Sequence, residues 1–281
     1  MMGDLSRIDQ LACFLIIAVG LPHGALDGAL AGLLGCRTKS MFLRFVTCYV
    51  TCSLVVIALW VYFPQISLLL FVIVSMVHFG RCDWVSYGRP ENKRLIIFTH
   101  GMVAIFGIIF FNEKDSLNLF RILVGKPAIE NVYLLIIPYL ATIIALLIFC
   151  ILSLRVKVIR RGVLEMLMVL ICAYYFNPLA AFAVHFCFCH SYKHTKHVVT
   201  QIYRTFSNYR LLFLSGAIFT TITWLTGFFC FRYLSSSFTI YESMIKIIFI
   251  GLASLTIPHV ILVDYFYPKF IFSNNFRINE L

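Results

Sequence analysis

Charge is what this chain has least of. Only 12% of its 281 residues are Asp, Glu, Lys or Arg, and acids are the rarer sign, 12 against 23 basic residues. A soluble domain carries about 25% charged residues to cover its surface, so a water-facing globule of this length is excluded. The ten cysteines show no CxxC spacing and no framework in loops, so neither a zinc site nor a disulfide network follows from them. Cys187 and Cys189, although close to His190, read as small buried hydrophobes. No internal repeat or low-complexity stretch is present. The first apolar block contains Asp27 and lacks a small-residue cleavage pattern after it, so it reads as a retained span rather than a signal peptide.

What the chain has instead is 61% hydrophobic residues and a mean hydropathy of +0.93, gathered in blocks. Apolar blocks of about 18 residues or more, with few charges, match a bilayer core about 30 Å thick. Nine blocks are predicted as spans, at 11–34, 41–63, 66–82, 95–111, 132–154, 162–176, 178–194, 210–233 and 242–264. The pair around Asn177-Pro178 would count as one if it were a single kinked helix. The expected fold is all-α, a polytopic transmembrane bundle of about 8–9 spans, with residues 1–281 forming a single integral membrane domain. Segment 112–131 is the longest polar connection, with a short interfacial helix expected around Leu117 to Leu123.

Under this reading 17 of the 23 Lys and Arg fall on one side and 5 on the other, Lys246 lying within the last span. The positive-inside rule then places the N-terminus outside and the C-terminus in the cytoplasm of a cell (inner) membrane. The net charge of +11 belongs to this asymmetry, and no nucleic-acid partner is expected.

Ionisable groups inside spans are costly and tend to be functional. His190-Ser-Tyr-Lys-His194 sets two imidazoles at i, i+4 on one helix face, where two nitrogens can reach one ion. Taken alone, the pair could equally be a solvated helix end. In Gly20-Leu-Pro-His23-Gly-Ala-Leu-Asp27, the same spacing suggests a ligand whose other nitrogen is held by the carboxylate. A buried polar contact that only fixes helix packing would look alike. His78 stands one turn before the end of its span with Asp83 just beyond, and Pro258-His259 with Asp264 resembles the first motif. By parity the spans bearing His23, His78, His190 with His194, and His259 all run the same way, so their imidazoles can meet in the inner half of the bundle. His259 stays open between ligand, outer support and substrate pocket. His100 reads as structural, His197 as lying past the membrane edge, and His185 as a packing or supporting residue about 140° from His190 by the helical period. Imidazoles suit iron, copper, zinc or nickel, and residue chemistry alone does not choose among them.

GLPHGALD, HFGRCD, HSYKH and PHVILVD, in this order and from His23 to Asp264, together resemble the Brp/Blh family of integral membrane β-carotene 15,15'-dioxygenases. The fourth position of the HSYKH motif is Lys193, where the resemblance leads one to expect arginine more often; the ligand spacing is intact. The resemblance implies one non-haem Fe(2+) held by His23, His78, His190 and His194. Asp27, Asp83, His259 and Asp264 are then candidates for the surrounding support or the pocket. It also implies dioxygen and β-carotene as substrates, cleavage of the central double bond to two all-trans-retinal, and a functional link to a rhodopsin. Trp84, Tyr174, Tyr175, Phe182 and Phe186 are candidate aromatic faces for the polyene. Two other readings share the histidines. A membrane di-iron desaturase or hydroxylase uses similar boxes but several pairs of them. A bis-histidine haem or transport protein would use acids deep in spans, which only Asp27 and Glu165 approach.

Overall fold

In lipid every backbone N–H and C=O must be bonded within its own segment, which leaves an apolar run little choice but a helix. The computed structural model describes residues 6–36, 38–83, 93–125, 133–155, 157–205 and 209–267, and among these it is all-helical. The helices are α1 (Arg7–Leu33), α2 (Lys39–Tyr62), α3 (Pro64–Cys82), α4 (Lys93–Phe111) and α5 (Glu113–Val124). They continue as α6 (Tyr133–Arg155), α7 (Lys157–Tyr175), α8 (178–205), α9 (Tyr209–Leu234) and α10 (Ile240–Phe266). Six of them, α1 to α4, α9 and α10, are long and apolar enough to cross a membrane. Shorter apolar stretches, Tyr139–Leu154 and Gly162–Tyr175, lie in α6 and α7.

Local chemistry sets the boundaries. Asn177 accepts a hydrogen bond from the Ala180 N–H at 2.9 Å and Pro178 takes the first helical position, so α7 and α8 are two helices rather than one kinked one. α8 also runs past the expected end at 194. Its last turns are amphipathic, with Val198 and Ile202 buried while Lys196 and Thr200 are exposed. The polar connection holds α5, with Glu113 and Asp115 in its first turn and Gly125 ending it in the left-handed region at φ 71°.

Side-chain placement is that of a molecule whose solvent is lipid. α2 and α9 turn Leu43, Leu54, Phe228 and Phe229 outward, while polar groups collect inside. α3 and α4 touch backbone to backbone: a Cβ on Gly80 would lie 2.0 Å from the Ile97 carbonyl oxygen, and one on Gly101 2.0 Å from that of Met76. No other residue fits at either position, and this close approach fixes the level of His78 relative to His100.

Three helices that meet in the interior are irregular. α1 winds as a π turn over Ile16–Gly20 and then as 3₁₀ over Leu21–Leu26, with Pro22 inside. α8 holds a π turn over His185–Ser191, and α10 ends in one over Ile261–Phe266, just after Pro258. Such turns change the phase of the residues that follow and recur at functional sites. Here they flank the histidines.

Candidate metal centre

Five imidazoles converge between α1, α3, α8 and α10. His23 has its ring centroid 5.4 Å from that of His190, 5.5 Å from His194 and 5.2 Å from His259. His78 lies 5.0 Å from both His190 and His259, and His194 lies 5.0 Å from His259. His190 and His194 face one another with near-parallel rings, 6.4 Å apart at 11°. Nitrogens about 2.1 Å from a shared ion would put neighbouring centroids about 4.5 to 6.5 Å apart. The cluster has that scale.

The ring nitrogens are sorted in the same way around the cluster. Nδ1 of His259 meets both oxygens of Asp27 at 2.8 and 2.9 Å, and Nδ1 of His190 meets Asp83 at 3.1 Å. Nδ1 of His78 meets Asp264 at 3.3 Å, and Nδ1 of His23 donates to the Gly20 carbonyl with the Ser191 hydroxyl beside it at 3.2 Å. An acceptor at Nδ1 holds the proton there and leaves the lone pair on Nε2. Nε2 of His78, His190, His194 and His259 is buried and meets no hydrogen-bond partner. Buried ring nitrogens without partners, gathered in one cluster, are costly unless something accepts them. A divalent cation is the acceptor their chemistry suits, so the residues present fit a bound metal.

The sequence expectation for the acids needs correction. His23 and Asp27 do not pair, because four residues of near-3₁₀ winding separate their directions by about 120° rather than the 40° of an α-helix. Asp27 serves His259 instead, braced by the Tyr49 hydroxyl at 2.9 Å. Asp83 likewise serves His190 and, at 2.9 Å, Nε2 of His100, while Asp264 serves His78. Each acid supports a histidine of a different helix. His100 therefore belongs to the surrounding support, and nothing local in the sequence marks it or Tyr49.

The other candidates divide clearly. His185 is fully buried outside the cluster, against Phe79 at 5.1 Å. His197 lies a turn beyond His194 and meets the Tyr267 hydroxyl at 3.1 Å, and burial pushes it below its ordinary value. Lys193 is ion-paired with Glu165, which removes that acid from any path through the interior. Phe186 stacks on His190 with 12° between planes, and Phe182 stacks on Phe186. Tyr174 and Tyr175 do not reach the cluster; they are exposed at the end of α7, where an aromatic ring anchors at an interface. Trp84 lies outside the described residues.

A cavity of about 820 Å³ begins at His23, His78, His190 and His259 and runs between α2, α9 and α10 toward Trp60, Tyr233 and Lys246. Its walls are mostly apolar and aromatic, with hydroxyls such as Ser53, Thr223 and Thr226 along the way and Lys246 at the far end, the pattern of a site for a long hydrophobic ligand. A second cavity of about 570 Å³ lies between α1, α8 and α9 and also reaches His23.

A family model described as Beta-carotene 15,15'-dioxygenase matches residues 14–267, a stretch holding all five histidines and their acids. The chain is also similar to a Beta-carotene 15,15'-dioxygenase of an uncultured marine bacterium 66A03, with 30% identity over 265 residues, 94% of this chain and 95% of the relative. No solved structure matches the chain.

Proposed function

The chain belongs to the β-carotene 15,15'-dioxygenase family and is a carotenoid dioxygenase, an oxidoreductase; from this and the histidine cluster we propose that it cleaves the central double bond of β-carotene at a single Fe(2+). Family membership sets aside the desaturase and the haem or transport readings. The ligands proposed are His23, His78, His190 and His194, with Asp83 and Asp264 as supports of His190 and His78. The observation that carries the reading is the set of buried Nε2 atoms without partners, which includes His78, His190 and His194; His23 joins them by its ring distances of 5.4 and 5.5 Å to His190 and His194.

Fe(2+), when bound, supplies the one-electron chemistry by which triplet dioxygen reacts with a closed-shell polyene. The protein holds and orients. The acceptors at Nδ1 of His23, His78 and His190 keep the lone pairs of those rings on Nε2. The apolar cavity keeps water away and aligns the polyene, so that one double bond alone lies beside the centre. Phe186 and Phe182, stacked in sequence onto His190, offer π faces to positive charge that develops along the chain. Both atoms of one dioxygen end in the two aldehydes, so β-carotene and O₂ give two all-trans-retinal with no further reductant. A substrate dissolved in the bilayer gives the physical reason for building a polar centre inside apolar helices. A rhodopsin is the proposed consumer of the product.

Expression in β-carotene-producing bacteria should bleach the cells and yield retinal; full expression without retinal sinks the reading. We also propose the nine-span topology, with the N-terminus outside and the C-terminus cytoplasmic in the cell membrane. A cysteine placed at Asn177, in a chain freed of reactive exposed cysteines, should react with an impermeant reagent from outside. Labelling only after the cells are opened would overturn that orientation.

A further inference from the structure

We propose that His259 is a fifth imidazole ligand of the centre, an inference that rests on the metal reading above. Its motif, Pro258-His259 with Asp264, leaves its role open in the sequence, but its surroundings match those of His78 and His190. Its ring lies 5.0 Å from His78, 5.0 Å from His194 and 5.2 Å from His23, as close as those histidines come to their own neighbours. Its Nδ1 faces a carboxylate, as do those of His78 and His190. Its Nε2 is buried and without a partner, as are those of His78, His190 and His194.

The two other roles open to such a histidine fit less well. A supporting residue would bond a ligand's second nitrogen, yet among the described residues the His259 ring is hydrogen-bonded to Asp27 alone. A residue that binds substrate by hydrogen bonding needs a polar group to meet, and a polyene hydrocarbon offers none. The support is also the strongest of the set: Asp27 meets Nδ1 with both oxygens while the Tyr49 hydroxyl, itself within 3.3 Å of the Leu255 carbonyl, holds the carboxylate in place. Pro258 and the π turn that follows set the ring's direction, as Pro22 and the 3₁₀ turn do for His23.

The consequence is one of coordination number. A six-coordinate ion with four imidazoles keeps two positions for outside ligands; with five it keeps one. Only one small molecule then binds at a time, and the polyene reacts from the cavity without occupying the ion.

Co(II), loaded in place of iron into the purified full chain, tests this without reference to turnover, because its visible bands strengthen and shift as coordination number falls. The parent should bind one Co(II) per chain. His259→Ala should bind it more than about a hundredfold more weakly, beyond the 10–100-fold that loss of an outer supporting group costs a metal site. Its bands should be altered, and added imidazole should restore them. An unchanged affinity and spectrum in His259→Ala would overturn the assignment. Should that variant fail to fold, His259→Gln is read in the same way, with the same two outcomes. A parent that binds neither Co(II) nor Fe(II) would instead take down the metal reading itself, and this inference with it.

Discussion

His78→Ala is expected to lose cleavage of β-carotene by more than about a thousandfold, well beyond the 10–100-fold that loss of an outer supporting group costs a metal site. It should retain little bound iron. The imidazole is buried on α3, one turn above its helix end. Its removal also leaves Asp264 in the interior with only the half-exposed Arg81 at 3.9 Å. Asp264→Asn serves as the comparison: it keeps the ring but weakens the acceptor, so its loss should stay within the smaller range. Iron content and retinal yield, measured on detergent-purified protein with unchanged helical content, decide the matter. His78→Ala with normal iron and normal turnover would remove His78 from the ligand set.

Blocking the cavity should also cost activity, by a different route. Gly251 lies on α10 eight residues before His259, about 12 Å along the helix from the centre. It lines the long cavity, and a Cβ there would meet no atom within 4 Å. Gly251→Phe therefore places a ring in the space through which one half of the substrate would run. A loss of at least about tenfold in kcat/KM is expected from such misplacement, with iron content unchanged. Gly251→Ala should cleave at close to the parent rate, and it removes a mid-helix glycine that costs about 1 kcal/mol relative to alanine. If Gly251→Phe turned over β-carotene like the parent, the polyene would have to lie elsewhere, and the second cavity, which also reaches His23, would become the site to test.

How much of this was legible beforehand differs from residue to residue. The helices and their caps were local: apolar runs between charged turns, Asn177-Pro178 at a boundary, acids opening α5. His190 and His194 were readable as a pair because four residues are about one turn. His23 and Asp27 carried the same spacing and were misread, because the π and 3₁₀ turns of α1 alter the phase on which that spacing depends. Tyr174 and Tyr175 were aromatic and near the right helices, yet face outward.

The sequence by itself determined the class of the molecule, an apolar helical protein with only a few ionisable groups inside its apolar runs. Burying a histidine in an apolar run is costly enough to leave a visible mark in composition. Which acid supports which imidazole was decided only by the tertiary structure. Asp27 with His259, Asp264 with His78, and Asp83 with both His190 and His100 each join different helices, most of them distant in the chain. Those partners follow from the crossing of helices, from the bare glycine contacts that set their levels, and from the irregular turns that set their phase. The same packing brought His259 to the centre.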